Sequence, residues 1–197
     1  MKKITKEWLK SKSACKDGYE WSLKTLNNKT MPCDKFIKAL IKDEKYQWGT
    51  WVLVRVFDKV KNVKYAIFAA EQVIDIYEKK YPSDKRPRKA IEAAKKWINK
   101  PTEENRKAAA DAAYAAYAAA AAASDDAAAS DDAAYADADA AAYAAAAASD
   151  AAAYADAAAD ADAAYAAYAA AAYAAAARKK MRIKILNYGI KLLKESE

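Results

Sequence analysis

From Ala108 to Ala177 the chain is almost entirely alanine, relieved by tyrosine, aspartate and a few serines. No other stretch so narrows what it can fold into. Alanine loses no side-chain entropy in a helix and has the best intrinsic helix propensity, so the tract is helical before any packing is considered. As one helix, rising about 1.5 Å per residue, it would run to roughly 100 Å, far longer than a compact domain is wide. It therefore has to be broken. Ser124-Asp125-Asp126, Ser130-Asp131-Asp132 and Ser149-Asp150 offer caps that accept hydrogen bonds from the free N–H groups of a new helix, which predicts three helices. Tyr114 and Tyr117 stand one turn apart, as do Tyr165 and Tyr168, while Tyr143, Tyr154 and Tyr165 recur at eleven residues. Those spacings predict aromatic stripes filling the gaps between closely approaching alanine faces. Alanine buries little area, so these helices need the aromatic-rich first half to hold together.

The expected fold is accordingly all-α: a single multi-helix bundle with closely packed Ala-rich helices. Residues 1–197 form one domain, divided into a Trp- and Lys-rich helical half (1–107), the Ala/Tyr/Asp-rich helices (108–177) and a basic C-terminal helix (178–197). Three glycines and four prolines are too few for an all-β fold with many tight turns. No apolar run free of charge is long enough to span a membrane. Met1-Lys2-Lys3 leads into Ile4-Thr5-Lys6-Glu7 instead of an apolar segment, so no secretory signal is expected and the cytoplasm is the expected location. There, Cys15 and Cys33 are expected as buried free thiols, although an oxidising compartment would allow them to pair.

With no histidine, His-based metal sites, Ser-His-Asp triads and Cys-His pairs are excluded. Charge is divided unevenly. Residues 108–177 hold eleven Asp and no Lys or Arg, −11 in all, which leaves +18 on the remainder. Either the acidic helices pack near the basic ones, or a basic surface or pocket receives an anionic partner.

In chain order, Lys6 to Lys10 opens a short helix and Ser11 to Gly18 reads as a turn. Trp8 and Trp21 read as core anchors, and residues 27–32 as a loop. Phe36, Ile37, Leu40 and Ile41 have helical spacing, with Asp34 as cap. Tyr46 to Val60 includes Trp51-Val52-Leu53-Val54-Arg55-Val56-Phe57, with the β-branched content of a strand; lacking a second strand to pair with, it is expected to be helical. Val63 to Lys80 follows as one helix, apolar at Ile67, Ala70, Val73, Ile74 and Tyr77 and polar at Glu71, Gln72, Asp75 and Glu78.

The segment Tyr81-Pro82-Ser83-Asp84-Lys85-Arg86-Pro87-Arg88-Lys89-Ala90-Ile91-Glu92-Ala93 is the most informative short stretch. Asp84 can cap a helix whose first turn is Lys85, Arg86 and Pro87. Three cations then crowd a helix N-terminus, where the dipole disfavours them. Their partner is either structural, such as Glu71, Asp75 or an Asp of the alanine half, or a bound phosphate, which suits a helix start rich in Arg. After Trp97 the helix ends near Asn99-Lys100-Pro101, and Thr102-Glu103-Glu104-Asn105 caps the first alanine helix. Arg178 to Leu186 reads as a basic helix end, followed by an amphipathic stretch to Leu193.

The residues Trp8-Leu9, Ala14-Cys15, Gly18 and Trp21, then Ala69-Ala70-Glu71, Asp84, Arg86-Pro87-Arg88, Ala90-Ile91-Glu92-Ala93, Trp97, Arg106 and the long Ala/Tyr tract resemble an immunity-protein family of helical proteins from bacteria and phages. The likeness runs over nearly the whole chain and is most specific at Asp-x-Arg-Pro-Arg-x-Ala-Ile-Glu-Ala. It implies neutralisation by binding more than catalysis. Taken with it, the candidate ligand-binding set is Lys85, Arg86 and Arg88 with Glu71 and Gln72; no catalytic residue, metal or cofactor is expected. The first reading is a non-catalytic counter-defence protein that sequesters a phosphate-bearing nucleotide signal, a cyclic nucleotide or ADP-ribose derivative, with tyrosines stacking on its base. The alternative is an inhibitor that occludes a toxin, nuclease or defence protein by direct binding through charged surfaces. Asp137/Asp139 and Asp160/Asp162 are poor magnesium ligands because residues two apart on a helix diverge. No recognised nucleic-acid-binding module appears. A homo-oligomer is left open.

Overall fold

The computed structural model describes residues 2–128 and 175–195. The described chain is helical, in nine segments: α1 (Lys6–Ser11), α2 (Lys16–Leu26), α3 (Cys33–Lys42), α4 (Tyr46–Val56), α5 (Lys59–Glu71), α6 (Ile74–Lys80), α7 (Arg86–Asn99), α8 (Glu103–Ala128) and α9 (Ala175–Lys194). One two-residue antiparallel ladder, β1 (Lys3–Ile4) with β2 (Met31–Pro32), ties the N-terminus to the entry of α3, with Ile4 opposite Met31. Local chemistry starts several helices. Thr5 Oγ1 accepts Trp8 N–H at 3.1 Å, Asp58 Oδ1 accepts Lys61 N–H at 2.8 Å, and Thr102 Oγ1 accepts Asn105 N–H at 3.2 Å; each satisfies a first-turn donor that has no partner within the helix. Asn27 in the left-handed region (φ 46°) closes α2.

The core sits where α3, α4, α5 and α9 meet. Phe36, Ile37 and Leu40 of α3, Val52 and Leu53 of α4, Val63, Tyr65 and Ala66 of α5, and Ile185, Leu186, Ile190 and Leu192 of α9 are buried. Each such aliphatic or aromatic side chain stabilises the fold by about 1.5–3 kcal/mol. The C-terminal helix is thus central to the fold, and glycines set how closely it seats. A Cβ on Gly49 would lie 3.0 Å from Leu186 Cδ2, and one on Gly189 only 2.4 Å from Leu53 Cδ1 and 3.1 Å from Tyr65 Cε2. On the outer side of α9, Tyr188 stacks on Phe68, with ring centroids 3.9 Å apart.

The alanine helices pack closely where they are described. α7 and α8 form the most extensive helix pair. Ala109, Ala113, Ala116 and Ala119 recur every three or four residues along one face of α8 and are fully buried, as are Ala90 and Ala94 on α7. Methyl against methyl lets the two backbones approach, so the stabilisation comes from many short dispersion contacts instead of large side chains.

Several expectations are corrected. Gly18 lies inside α2, not in the preceding turn. Helix α3 begins at Cys33, so Asp34 is a first-turn residue and not its cap. The span 63–80 is two helices, because the chain turns at Gln72–Val73, where Val73 N–H bonds Ala70 C=O at 3.1 Å. The strand-like stretch at 51–56 is helical as expected, but α4 ends at Val56 and α5 restarts at Lys59. Helix α8 runs through Ser124-Asp125-Asp126 without a break. Tyr114 is 80% exposed and fills no interhelical gap. The expected breaks at Ser130 and Ser149, the side chain of Tyr117 and the stripe Tyr143, Tyr154, Tyr165 and Tyr168 lie outside the described residues. Arg178 to Lys184 lies in the first half of α9, whose last turn instead carries Lys191 and Lys194. Both cysteines are free, but only Cys33 is buried; Cys15 is exposed. Trp8 and Trp21 are half-buried and pack against the core. Among the described residues no helix is long and apolar enough to cross a membrane.

Candidate functional site

The cationic segment lies where α6 hands over to α7, and its charges are answered within the fold. The Asp84 carboxylate accepts the Arg86 backbone N–H at 3.0 Å, Arg86 Nε at 3.0 Å and Nη2 at 2.6 Å, and the Tyr77 hydroxyl at 2.7 Å. It therefore works at the start of α7, one residue before the Lys85 cap position. The Arg86 guanidinium holds the Asp84 carboxyl down at about 2, helped by the Arg86 N–H and the Tyr77 hydroxyl against the opposing effect of burial. Burial pushes the Tyr77 hydroxyl well above its ordinary value, and its bond to the Asp84 anion adds to the shift.

Arg88 reaches back to α6. Its Nε and Nη2 each donate to Glu78 at 2.7 Å, a two-point pair, and Nη2 also donates to Asp75 at 3.1 Å. Lys85 Nζ joins Glu78 at 3.4 Å. The Glu78 carboxyl is held below its usual range, first by Arg88 and then by Lys85. Lys85, Arg86 and Arg88 thus face Asp75, Glu78 and Asp84, three charges against three. A phosphate would have to displace carboxylates already bonded at short range, and the two helices would lose their tie. Asp75 was a legible partner; Glu78, three residues further along the same helix, read only as part of a polar face.

Glu71 and Gln72 are not brought to this cluster. Glu71 pairs with Lys95 at 3.0 Å, and Lys95 also with Glu92 at 2.7 Å. Gln72 Nε2 donates to Phe68 C=O at 2.9 Å, closing the end of α5. Glu71, Lys64, Lys95 and Tyr188 border a shallow cavity of about 220 Å³ between α5, α7 and α9, in which Lys64 is tied to Glu195 at 3.3 Å.

Two features escaped the sequence reading. Lys35, Lys38 and Lys42 fall on one face of α3, opposite the buried Phe36, Ile37 and Leu40, and all three are exposed with no carboxylate within ion-pair distance among the described residues. Spacings of three and four residues put them on consecutive turns. The second feature is an apolar cavity of about 220 Å³ between α1, α2, α3 and α4, walled by Leu9, Phe36, Leu40, Trp48, Trp51 and Val52. Gly18 admits it: a Cβ there would lie 3.1 Å from Cys15 Sγ and 3.6 Å from the Trp48 ring. Trp21 leans on Phe36 and Trp48 with centroids 5.6 and 6.1 Å away, and Trp8 meets Trp51 edge-on at 6.1 Å. Arg55 Cζ sits 4.3 Å from the Trp51 ring centroid and Lys45 Nζ 5.1 Å from that of Trp48. The spacing of the tryptophans gave no hint of this cavity, because its walls come from four separate helices. Comparison with protein-family models, with curated proteins and with solved structures finds no match to this chain.

Proposed function

We propose that the chain is a non-catalytic, immunity-type protein that neutralises a partner by direct protein–protein binding, using the lysine face of α3 against an acidic surface. The observation that carries this reading is the contrast between the two sets of cations. Those of the Lys85–Arg88 segment are bonded to Asp75, Glu78 and Asp84, whereas Lys35, Lys38 and Lys42 stand exposed with no carboxylate within ion-pair distance among the described residues. Free ammonium groups in a row raise the encounter rate with an acidic surface and set its orientation. The resemblance to the immunity-protein family points the same way. Sequestration of a phosphate-bearing nucleotide at Arg86 and Arg88 is the second reading; it requires an anion to outcompete the Asp84 and Glu78 carboxylates.

The test compares wild type, Lys35→Glu/Lys38→Glu/Lys42→Glu and Arg86→Ala/Arg88→Ala as immobilised baits for bacterial extract at low and high salt. An acidic protein held by wild type and by the arginine variant, but released by the lysine variant and by salt, supports the reading. Retention unaffected by the lysine variant refutes it. Stabilisation of wild type alone by ADP-ribose or a cyclic nucleotide would return the assignment to the arginines.

A further inference from the structure

We propose that the tryptophan-walled cavity between α1, α2, α3 and α4 is a binding site for a small aromatic carboxylate. This site is separate from the α3 lysine face and goes beyond the protein-binding reading.

Size, lining and charge each constrain the occupant. A cavity of about 150 Å³ lined by aliphatic and aromatic side chains already holds benzene, so the 220 Å³ here accommodates one or two fused rings. The walls offer Phe36, Trp48 and Trp51 as stacking or edge-on partners; of the polar residues in the lining, Ser13 and Gln47 are exposed to solvent and the Ser22 hydroxyl is already donated to Gly18 C=O at 2.6 Å. A sugar or a peptide would leave its polar groups without partners in such a lining. Two cations stand beside the cavity: Arg55 and Lys45 lie over the rings of two of its wall residues, while Asp43 accepts the Trp21 Nε1–H at 2.9 Å and Glu44 is paired with Lys179. An aromatic ring in the cavity with its carboxylate toward Lys45 satisfies both halves of the site.

The two cysteines supply the readout. Cys15 lines the cavity and is exposed, while Cys33 is fully buried with its thiol pushed up to about 12, so alkylation of the folded protein reports on Cys15. The probes are 2-naphthoate and its uncharged counterpart 2-naphthamide, each titrated calorimetrically and tested for protection of Cys15 from iodoacetamide. For ligands of this size the expected dissociation constant is on the order of 10⁻⁴ M. The naphthoate should bind one to one and slow Cys15 alkylation, and the amide should bind less tightly. Lys45→Gln should weaken the naphthoate by roughly threefold and leave the amide unchanged. Ala14→Phe, which fills the cavity, should abolish both; if its circular dichroism shows that it does not fold, Gly18→Ala serves as the smaller obstruction. Absence of binding, equal binding of acid and amide, or binding that survives the cavity-filling variant overturns the proposal.

Discussion

Replacing Gly189 by alanine tests whether α9 seats in the core as described. In an isolated helix the change is favourable by about 1 kcal/mol, since glycine has the greater backbone entropy to lose. Here the added methyl would stand 2.4 Å from Leu53 Cδ1, 3.3 Å from Leu53 Cδ2 and 3.1 Å from Tyr65 Cε2. Leu53 and Tyr65 are fully buried, so neither can swing into solvent to make room. Overpacking of this kind costs about 1–3 kcal/mol, and severe overlap belongs at the upper end of that range. Subtracting the helix-propensity gain leaves a net destabilisation of about 1–2 kcal/mol, or a fall in Tm of roughly 3–6 °C for a chain of this size. The assay is thermal and urea unfolding followed by circular dichroism and tryptophan fluorescence. Gly49→Ala is the internal comparison: its methyl would meet the Leu186 methyls at 3.0 and 3.1 Å, which small side-chain shifts relieve, so its effect should stay within about 1 kcal/mol of zero. A Gly189→Ala protein that melts at or above wild type would refute the packing of α9 against α4 and α5.

Three further outcomes follow from the same geometry. Arg88→Ala should destabilise by up to about 1 kcal/mol in denaturant titration, the range of a solvent-screened pair, because it strips Glu78 of its two-point partner, and Arg88→Lys should recover less than half, since an ammonium cannot make both bonds. The Asp84 carboxyl, near 2 in the folded state, lies below the ordinary carboxylate value, so its stabilising contribution is complete above that value and is lost as pH falls through it toward 2. Wild type should therefore lose up to about 2 kcal/mol more than Asp84→Asn between about pH 5 and pH 2, measured by urea unfolding at each pH. In thiol alkylation at mildly alkaline pH, exposed Cys15 should react far faster than Cys33, whose thiol is buried and pushed up, with the difference collapsing in denaturant.

Much of the fold was legible because local chemistry and tertiary structure agree. Alanine propensity and the Thr102 cap place α8, Pro101 ends α7, and the apolar face of α3 is the one its spacing predicts. Legibility fails where distance in sequence decides the outcome. The seating of Ile185, Leu186 and Ile190 against α3, α4 and α5 joins residues more than a hundred positions apart, and only the three-dimensional meeting of Gly189 with Leu53 explains that glycine. The turn at Gln72–Val73 carries no Gly or Pro; there the Gln72 and Val73 N–H groups bond Ala69 and Ala70 C=O three residues back, and the Gln72 side chain bonds Phe68 C=O. Helix α4 resembled a strand because Val52, Leu53 and Val54 are buried on successive sides, so it has no polar face to set a helical period. At the candidate site, the cation excess at the start of α7 correctly signalled a need for anions. Its resolution by Glu78 and Asp84 depended on how α6 folds back, which periodicity does not encode.

Lys85, Arg86 and Arg88 are bonded to Glu78, Asp84 and Asp75, ties that an anionic ligand would have to break, and we propose that these cations serve the fold and not a ligand. The most direct measurement is a thermal-shift titration of wild type and Arg86→Ala/Arg88→Ala with pyrophosphate, ADP-ribose and a cyclic dinucleotide. A specific ligand at about a hundred times its dissociation constant would stabilise the folded state by about 2.7 kcal/mol, a shift of several degrees. The expected result is no shift in either protein, with the double variant melting below wild type by the same margin at every ligand concentration. A saturable rise in wild type that the double variant lacks would contradict it and make the segment a phosphate site.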